Sequence, residues 1–175
     1  VQAILNQLEP TPAFVVNHLS DVLAWTEGYD RLARPLGILD GDAPNLIWFT
    51  FTDERSRAAY PDWGDIADEQ VANLHAQLLT PGDDARAFAG RLTRTAGAEF
   101  SVRWARGAVT SRRTGVNALA HPDVGLLRLM FETLELPDAD RQRLVVYLPA
   151  DLASAAGLDR LAGRQSGALR SVGTG

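Results

Sequence analysis

Short β-branched apolar runs occupy both ends of this chain, while the stretch between them carries its apolar residues three and four apart. Early on, Ala13-Phe14-Val15-Val16-Asn17 and Val22-Leu23-Ala24-Trp25 flank His18-Leu19-Ser20-Asp21 and read as a hairpin with a short turn. Late in the chain, 116–120, 125–136 and 143–148 read as three strands, with His121-Pro122-Asp123 and Pro137-Asp138-Ala139-Asp140 as joints. In the middle, 27–36 reads as a helix ended by Pro35-Leu36-Gly37, and Thr52-Asp53-Glu54 as a helix start. The spacing of Val71, Leu74 and Leu78 predicts a helix over 66–79, stopped by Pro81-Gly82. Asp83 and Asp84 open another carrying Phe88 and Leu92 on one face, and Phe100 with Trp104 marks a further short one. The apolar run 45–51 is too short for periodicity to assign. Strands and helices in separate blocks argue for an α+β domain with an antiparallel sheet. Helices then cover one face or end of the sheet, and the gap between the layers is a place for a ligand.

At 175 residues the chain fits one domain, placed at 1–162, with a Gly-, Ser- and Arg-rich tail over 163–175 expected to be mobile. With 46% hydrophobic and 22% charged residues it is not globally disordered. The absence of cysteine rules out disulfides and thiolate metal sites. The net charge is -5, whereas a protein that grips DNA by itself normally presents a basic face. No apolar run reaches the roughly 18 residues of a membrane helix and no signal peptide opens the chain, so a cytoplasmic protein is expected. The start at Val1, without methionine, suggests a piece of something longer.

Motifs that carry chemistry are scarce. Ser20, His18 and Asp21 crowd one turn, where the geometry of a catalytic triad is implausible. His75 has no partner at i+4 for a metal. No HExxH, P-loop or GxGxxG occurs. His121 sits where two strands meet; it could bind a ligand head group, or simply bond local backbone. Arg103, Arg106, Arg112 and Arg113 form a loose cluster that could hold a carboxylate, face the phosphates of DNA bound by a partner domain, or lie solvated. The tryptophans and phenylalanines are either plain core or, in part, a cavity lining.

An ordered series of short segments resembles the MmyB-like transcription regulator ligand-binding domain. It begins with Thr11-Pro12-Ala13-Phe14-Val15-Val16-Asn17 and Asp21-Val22-Leu23-Ala24-Trp25, then Asn45-Leu46. Arg57-Ala58-Ala59-Tyr60-Pro61-Asp62-Trp63, Asp84-Ala85-Arg86, Gly90-Arg91-Leu92 and Glu99-Phe100 with Trp104 follow. His121-Pro122-Asp123-Val124-Gly125 and Leu144-Val145-Val146-Tyr147 complete it, so that roughly residues 5 to 162 are covered. The resemblance implies a PAS-like sensor that follows an N-terminal helix-turn-helix domain of the XRE type, here absent, and a fatty-acid-like ligand in at least some members. The chain departs from the family pattern at Pro44, where arginine is usual, at Thr26, where asparagine is usual, and at Gly97-Ala98, where Ser-Pro is usual.

The expectation is therefore a PAS-like α+β fold: two N-terminal strands, a helical middle and three C-terminal strands, flanked by helices. Its function would be to hold a small apolar or fatty-acid-like molecule, without catalysis, metal or cofactor, and to modulate DNA binding through the absent domain. Candidate ligand-binding residues are Phe14, Trp25, Phe49, Phe88, Phe100, Trp104, Leu127 and Phe131, with His121 or Arg103 as polar anchor. Each buried methylene of an acyl chain would contribute about 0.8 kcal/mol. A homodimer is plausible. The alternatives are a dimerisation or protein-interaction module with a solid core, and a small enzyme acting on an apolar substrate.

Overall fold

Five antiparallel strands organise the molecule, which the computed structural model describes over residues 1–79, 82–107, 112–136 and 141–163. In chain order these residues form α1 (Gln2–Leu8), β1 (Ala13–Val16), β2 (Val22–Trp25) and α2 (Glu27–Ala33), which tightens into a 3-10 turn at Arg34–Leu36. Then come α3 (Leu46–Thr52), α4 (Arg55–Ala59), α5 (Trp63–Gln77), α6 (Asp84–Ala96) and α7 (Ala98–Arg106). β3 (Thr114–His121), β4 (Gly125–Leu136), β5 (Gln142–Pro149) and α8 (Leu152–Leu161) complete the domain.

The sheet order is β2-β1-β5-β4-β3, so the two strand blocks merge along β1 and β5, where Phe14 pairs with Val145 and Val15 with Leu144. This is the α+β, PAS-like arrangement the sequence leads one to expect. Alternation divides the sheet into two faces. Phe14, Leu119, Leu127, Leu129 and Phe131 are buried on the side that meets the helical layer. On the opposite face Ala13, Val15 and Leu144 form a small separate cluster under Leu5 of α1.

Local chemistry explains the element ends. Thr26 caps α2: its Oγ1 accepts from the Tyr29 N–H and the Ala13 N–H and donates to the Thr11 carbonyl. Asn45 caps α3 by accepting from the Trp48 N–H, while its amide donates to Asp21 and to the Leu19 carbonyl, tying α3 to the β1–β2 turn. That cap makes the ambiguous run 45–51 a helix, with Ile47, Thr50 and Phe51 turned inward. The helix expected over 27–36 is α-helical only to Ala33; Pro35, which lacks an N–H, sits in the 3-10 turn. α5 starts at Trp63, three residues before the expected Ile66, because the Trp63 indole donates to the Thr50 carbonyl and Ser56 Oγ and is buried there.

α1 and α8 were not anticipated. α8 is capped by Asp151, which accepts from the Ser154 N–H at 2.7 Å, and Ser154 Oγ accepts in turn from Arg128 N of β4. The Pro81 stop, the 137–140 joint and the tail beyond Gly163 lie outside the described residues. Among those residues no helix is long and apolar enough to cross a membrane.

Candidate ligand cleft

Two adjoining hollows, of about 70 and 40 Å³, lie between the inner face of the sheet and α5. β1 contributes Phe14 and Val16, β4 contributes Phe131 and Thr133, and β5 contributes Arg143, Val145 and Tyr147. Asn117 of β3 and Glu69 and Gln70 of α5 border both hollows, and Asn73 and Arg112 close the first. Tyr29, Tyr60, Ile66 and Leu119 enclose the second. Ligand pockets typically run to roughly 300–1,000 Å³. The gap between the layers, expected from the sequence as a place for a small apolar molecule, is thus small here, and its lining is rich in amides, phenols and charges. The helical side is filled by rings, with Phe51, Trp63, Phe100 and Trp104 in edge and stacked contact.

The polar groups divide into satisfied and unsatisfied. Arg112 donates to the Glu69 carboxylate at 3.0 Å. Burial nevertheless pushes the Glu69 carboxyl above the usual carboxylate range, and Arg112 pulls it back only in part. The phenols of Tyr29 and Tyr60 are raised by burial, and that of Tyr147 is pushed up to about 12, against a lowering hydrogen bond with Asn117. All three stay protonated at neutral pH and keep an O–H to donate. Arg143 is different. Its Nε is buried without a hydrogen-bond partner, and no carboxylate within the described residues forms an ion pair with it. Burial lowers its pKa, with Glu135 acting the other way. Arg143 also borders an outer groove of about 410 Å³ with Gln77, Glu135 and Gln142, so it stands where the inner cleft meets the surface.

Of the residues singled out in the sequence, Phe14, Phe131 and Arg112 of the arginine cluster line this cleft. The others are placed elsewhere. Phe88 packs against Trp48, and Phe100 is fully buried between Phe51 and Trp104. Trp104 stacks on His75, whose Nε2 donates to the Trp104 carbonyl at 3.0 Å. Leu127 is buried where a Cβ on Gly157 of α8 would meet it at 2.5 Å. Trp25 donates to Asp30 at 3.0 Å. Phe49 borders an open concavity of about 490 Å³ beneath the 37–44 loop, whose Arg55 is already held by Asp40 and Asp53. Arg103 lies on the outer side of the helical layer, bonded to Asp68 and Glu99 and set over the Trp63 ring. His121 uses both ring nitrogens within the chain: Nδ1 accepts from the Asp123 N–H and Nε2 donates to the Arg31 carbonyl. His18 faces Asp84 and Arg141, so the turn groups Ser20, His18 and Asp21 do not converge.

Sequence reasoning passed over Arg143, Glu69, Gln70, Asn73, Asn117 and Tyr147. A signal was present: Arg143, Val145 and Tyr147 alternate on one strand face, and polar residues interrupt the apolar stripe of 66–79 on a side that turns out to be half-buried.

A family model matches residues 1–161 and describes the MmyB-like transcription regulator ligand binding domain. No curated protein matches the chain.

Proposed function

The chain belongs to the MmyB-like transcription regulator ligand binding domain family, and from that premise we propose that its cleft receives a small molecule carrying a carboxylate, with Arg143 as the anchor. The domain is a regulatory ligand-binding unit by membership, and its reading as a non-catalytic protein rests on that role. The buried, unpartnered Arg143 Nε at the mouth of the cleft carries the proposal. A guanidinium nitrogen out of water and without an acceptor is costly, and a carboxylate fits the arginine fork in two parallel bonds. Asn117, Gln70 and the Tyr147 phenol offer further donors deeper in.

An acyl chain of fatty-acid type is one such ligand. Its carboxylate would meet Arg143, and its methylenes would enter between Phe14, Phe131, Leu46 and Val145. The hollows are several-fold too small for that chain, so α5 must move away from the sheet to admit it. Such movement supplies the signal: a ligand that binds only the opened arrangement shifts the population toward it, and an attached helix-turn-helix domain that senses α5 or its neighbours responds.

The test uses sodium dodecanoate and dodecanol, which share a chain length and differ in the charged head. Isothermal titration and native mass spectrometry should show dodecanoate bound at least about tenfold more tightly than the alcohol, and Arg143→Met should abolish that preference. Equal binding of acid and alcohol, or a preference that survives in Arg143→Met, overturns the anchor. A bare mass with both probes at every concentration favours the interaction module instead.

A further inference from the structure

The outer face of the sheet carries a self-complementary pattern. α1 covers only the β1 and β5 side of it, through Leu5 over Ala13, Val15 and Leu144. Beyond that cover, β4 presents Leu126, Arg128, Met130, Glu132 and Leu134 on one face, by the two-residue alternation of an unbroken register. Leu126 and Leu134, near the two ends of this strand face, are 59% and 55% exposed, and Met130 lies midway between them. Val116 of β3 and Leu148 of β5 lie directly beside Met130, and both are exposed. Around Met130 the face is thus symmetric in shape and opposite in charge: arginine two residues before, glutamate two residues after, leucine four residues either way. Among the described residues neither Arg128 nor Glu132 is in an ion pair; Glu132 only accepts from the Thr114 hydroxyl.

We infer that this face pairs with a second copy of the chain, about a two-fold axis that runs across the strands through Val116, Met130 and Leu148. A face-to-face sheet dimer can place its axis in two principal ways. With the axis along the strands, Arg128 meets its own copy and Glu132 its own. With the axis across them, Arg128 of each protomer faces Glu132 of the other, and Leu126 faces Leu134. Charge selects the second arrangement. Each charged residue lies about 7 Å from the axis, at roughly 3.4 Å per residue. The roughly 30° offset usual between packed sheets displaces the pairs by about 4 Å there, which the arginine side chain spans. The occupant is therefore a copy of this domain, since a heterologous partner requires no such symmetry.

Sedimentation of the full chain across micromolar to millimolar concentration tests this, with the single variants Arg128→Glu and Glu132→Arg and the double exchange. The wild type dimerises, each single variant weakens the dimer by at least about tenfold, and the double exchange restores it. Far-UV circular dichroism confirms that each exposed substitution leaves the fold intact. A wild type that stays monomeric throughout overturns the inference. So does a dimer indifferent to the single exchanges, or one that the double exchange fails to restore.

Discussion

Glu69 of α5 and Arg112 just before β3 are joined at 3.0 Å, and this ion pair spans one side of the cleft between helix and sheet. The Glu69 side chain is only 13% exposed, while that of Arg112 is 52% exposed. The pair is thus unequal: one partner has lost its water and the other has kept it.

A first prediction follows from that inequality. Burial raises the Glu69 pKa in the folded state above the ordinary 4.5, so the fold holds that proton more tightly than the unfolded chain does. The stabilisation is complete below pH 4.5 and is lost as pH rises through the elevated folded value. Glu69→Gln removes the titration. Thermal melts should show the variant gaining on the wild type from pH 4 to pH 7; a constant difference across that range would contradict the assignment.

The opposite sign holds for carboxylates with close cationic partners. Asp30, chiefly through its bond with Arg34, Asp53 through Arg55 and Asp84 through His18 all lie below the usual 3.8, and Glu99, through Arg103, below 4.5. Their contribution is present above those ordinary values and is lost as pH falls through the lowered ones. Each is small, since the pairs lie at the surface and their cationic partners Arg34 and Arg55 are half exposed. Together they predict a melting temperature that drops steadily below about pH 4, more gently in Asp30→Asn, which also retains an acceptor for Trp25.

Thr26 should be a sensitive position. It is 1% exposed, and removing its hydroxyl leaves the Ala13 and Tyr29 N–H groups buried without that acceptor. Thr26→Ala is expected to lower stability by about 2–3 kcal/mol, and Thr26→Ser by less than about 1 kcal/mol, in urea titrations.

Two helical glycines should respond in opposite directions. A Cβ on Gly28 would stand 2.1 Å from the Pro10 carbonyl oxygen, a backbone atom that cannot rotate away, so Gly28→Ala should cost about 3 kcal/mol or more, or yield no folded protein. At Gly64 a Cβ meets nothing within 4 Å, and Gly64→Ala should stabilise α5 by about 0.5–1 kcal/mol. Equal effects in the two variants, read from denaturant midpoints, would contradict the packing.

Block order and alternation carried the architecture into view early. The apolar runs of β1, β2, β4 and β5 alternate or bury both faces, and a strand's periodicity is a property of adjacent residues, so it survives without knowledge of partners. The spacing within 66–79 and 84–96 is legible for the same reason. Helix ends were less so. The start of α5 depends on where the Trp63 indole finds the Thr50 carbonyl thirteen residues earlier, and α3 is committed by Asn45 reaching back to Asp21. Those bonds join distant residues, and no local window contains them.

The cleft belongs wholly to this second kind of information. Amino-acid order alone determined that strands would bracket helices, that aromatic side chains would be buried, and that no cysteine chemistry was available. It could not distinguish a ring that fills the core, such as Phe100 or Trp104, from one that borders a hollow, such as Phe14 or Phe131, because both are simply apolar. Alternation puts Arg143 on one strand face with Val145 and Tyr147, but it does not tell that this arginine, of seventeen, loses its water. All seventeen carry the same side chain, and what sets this one apart is its place beside the inner cleft, where its Nε is buried with no hydrogen-bond partner. Burial and pairing are relations between segments far apart in the chain, and only the tertiary structure brings those segments together.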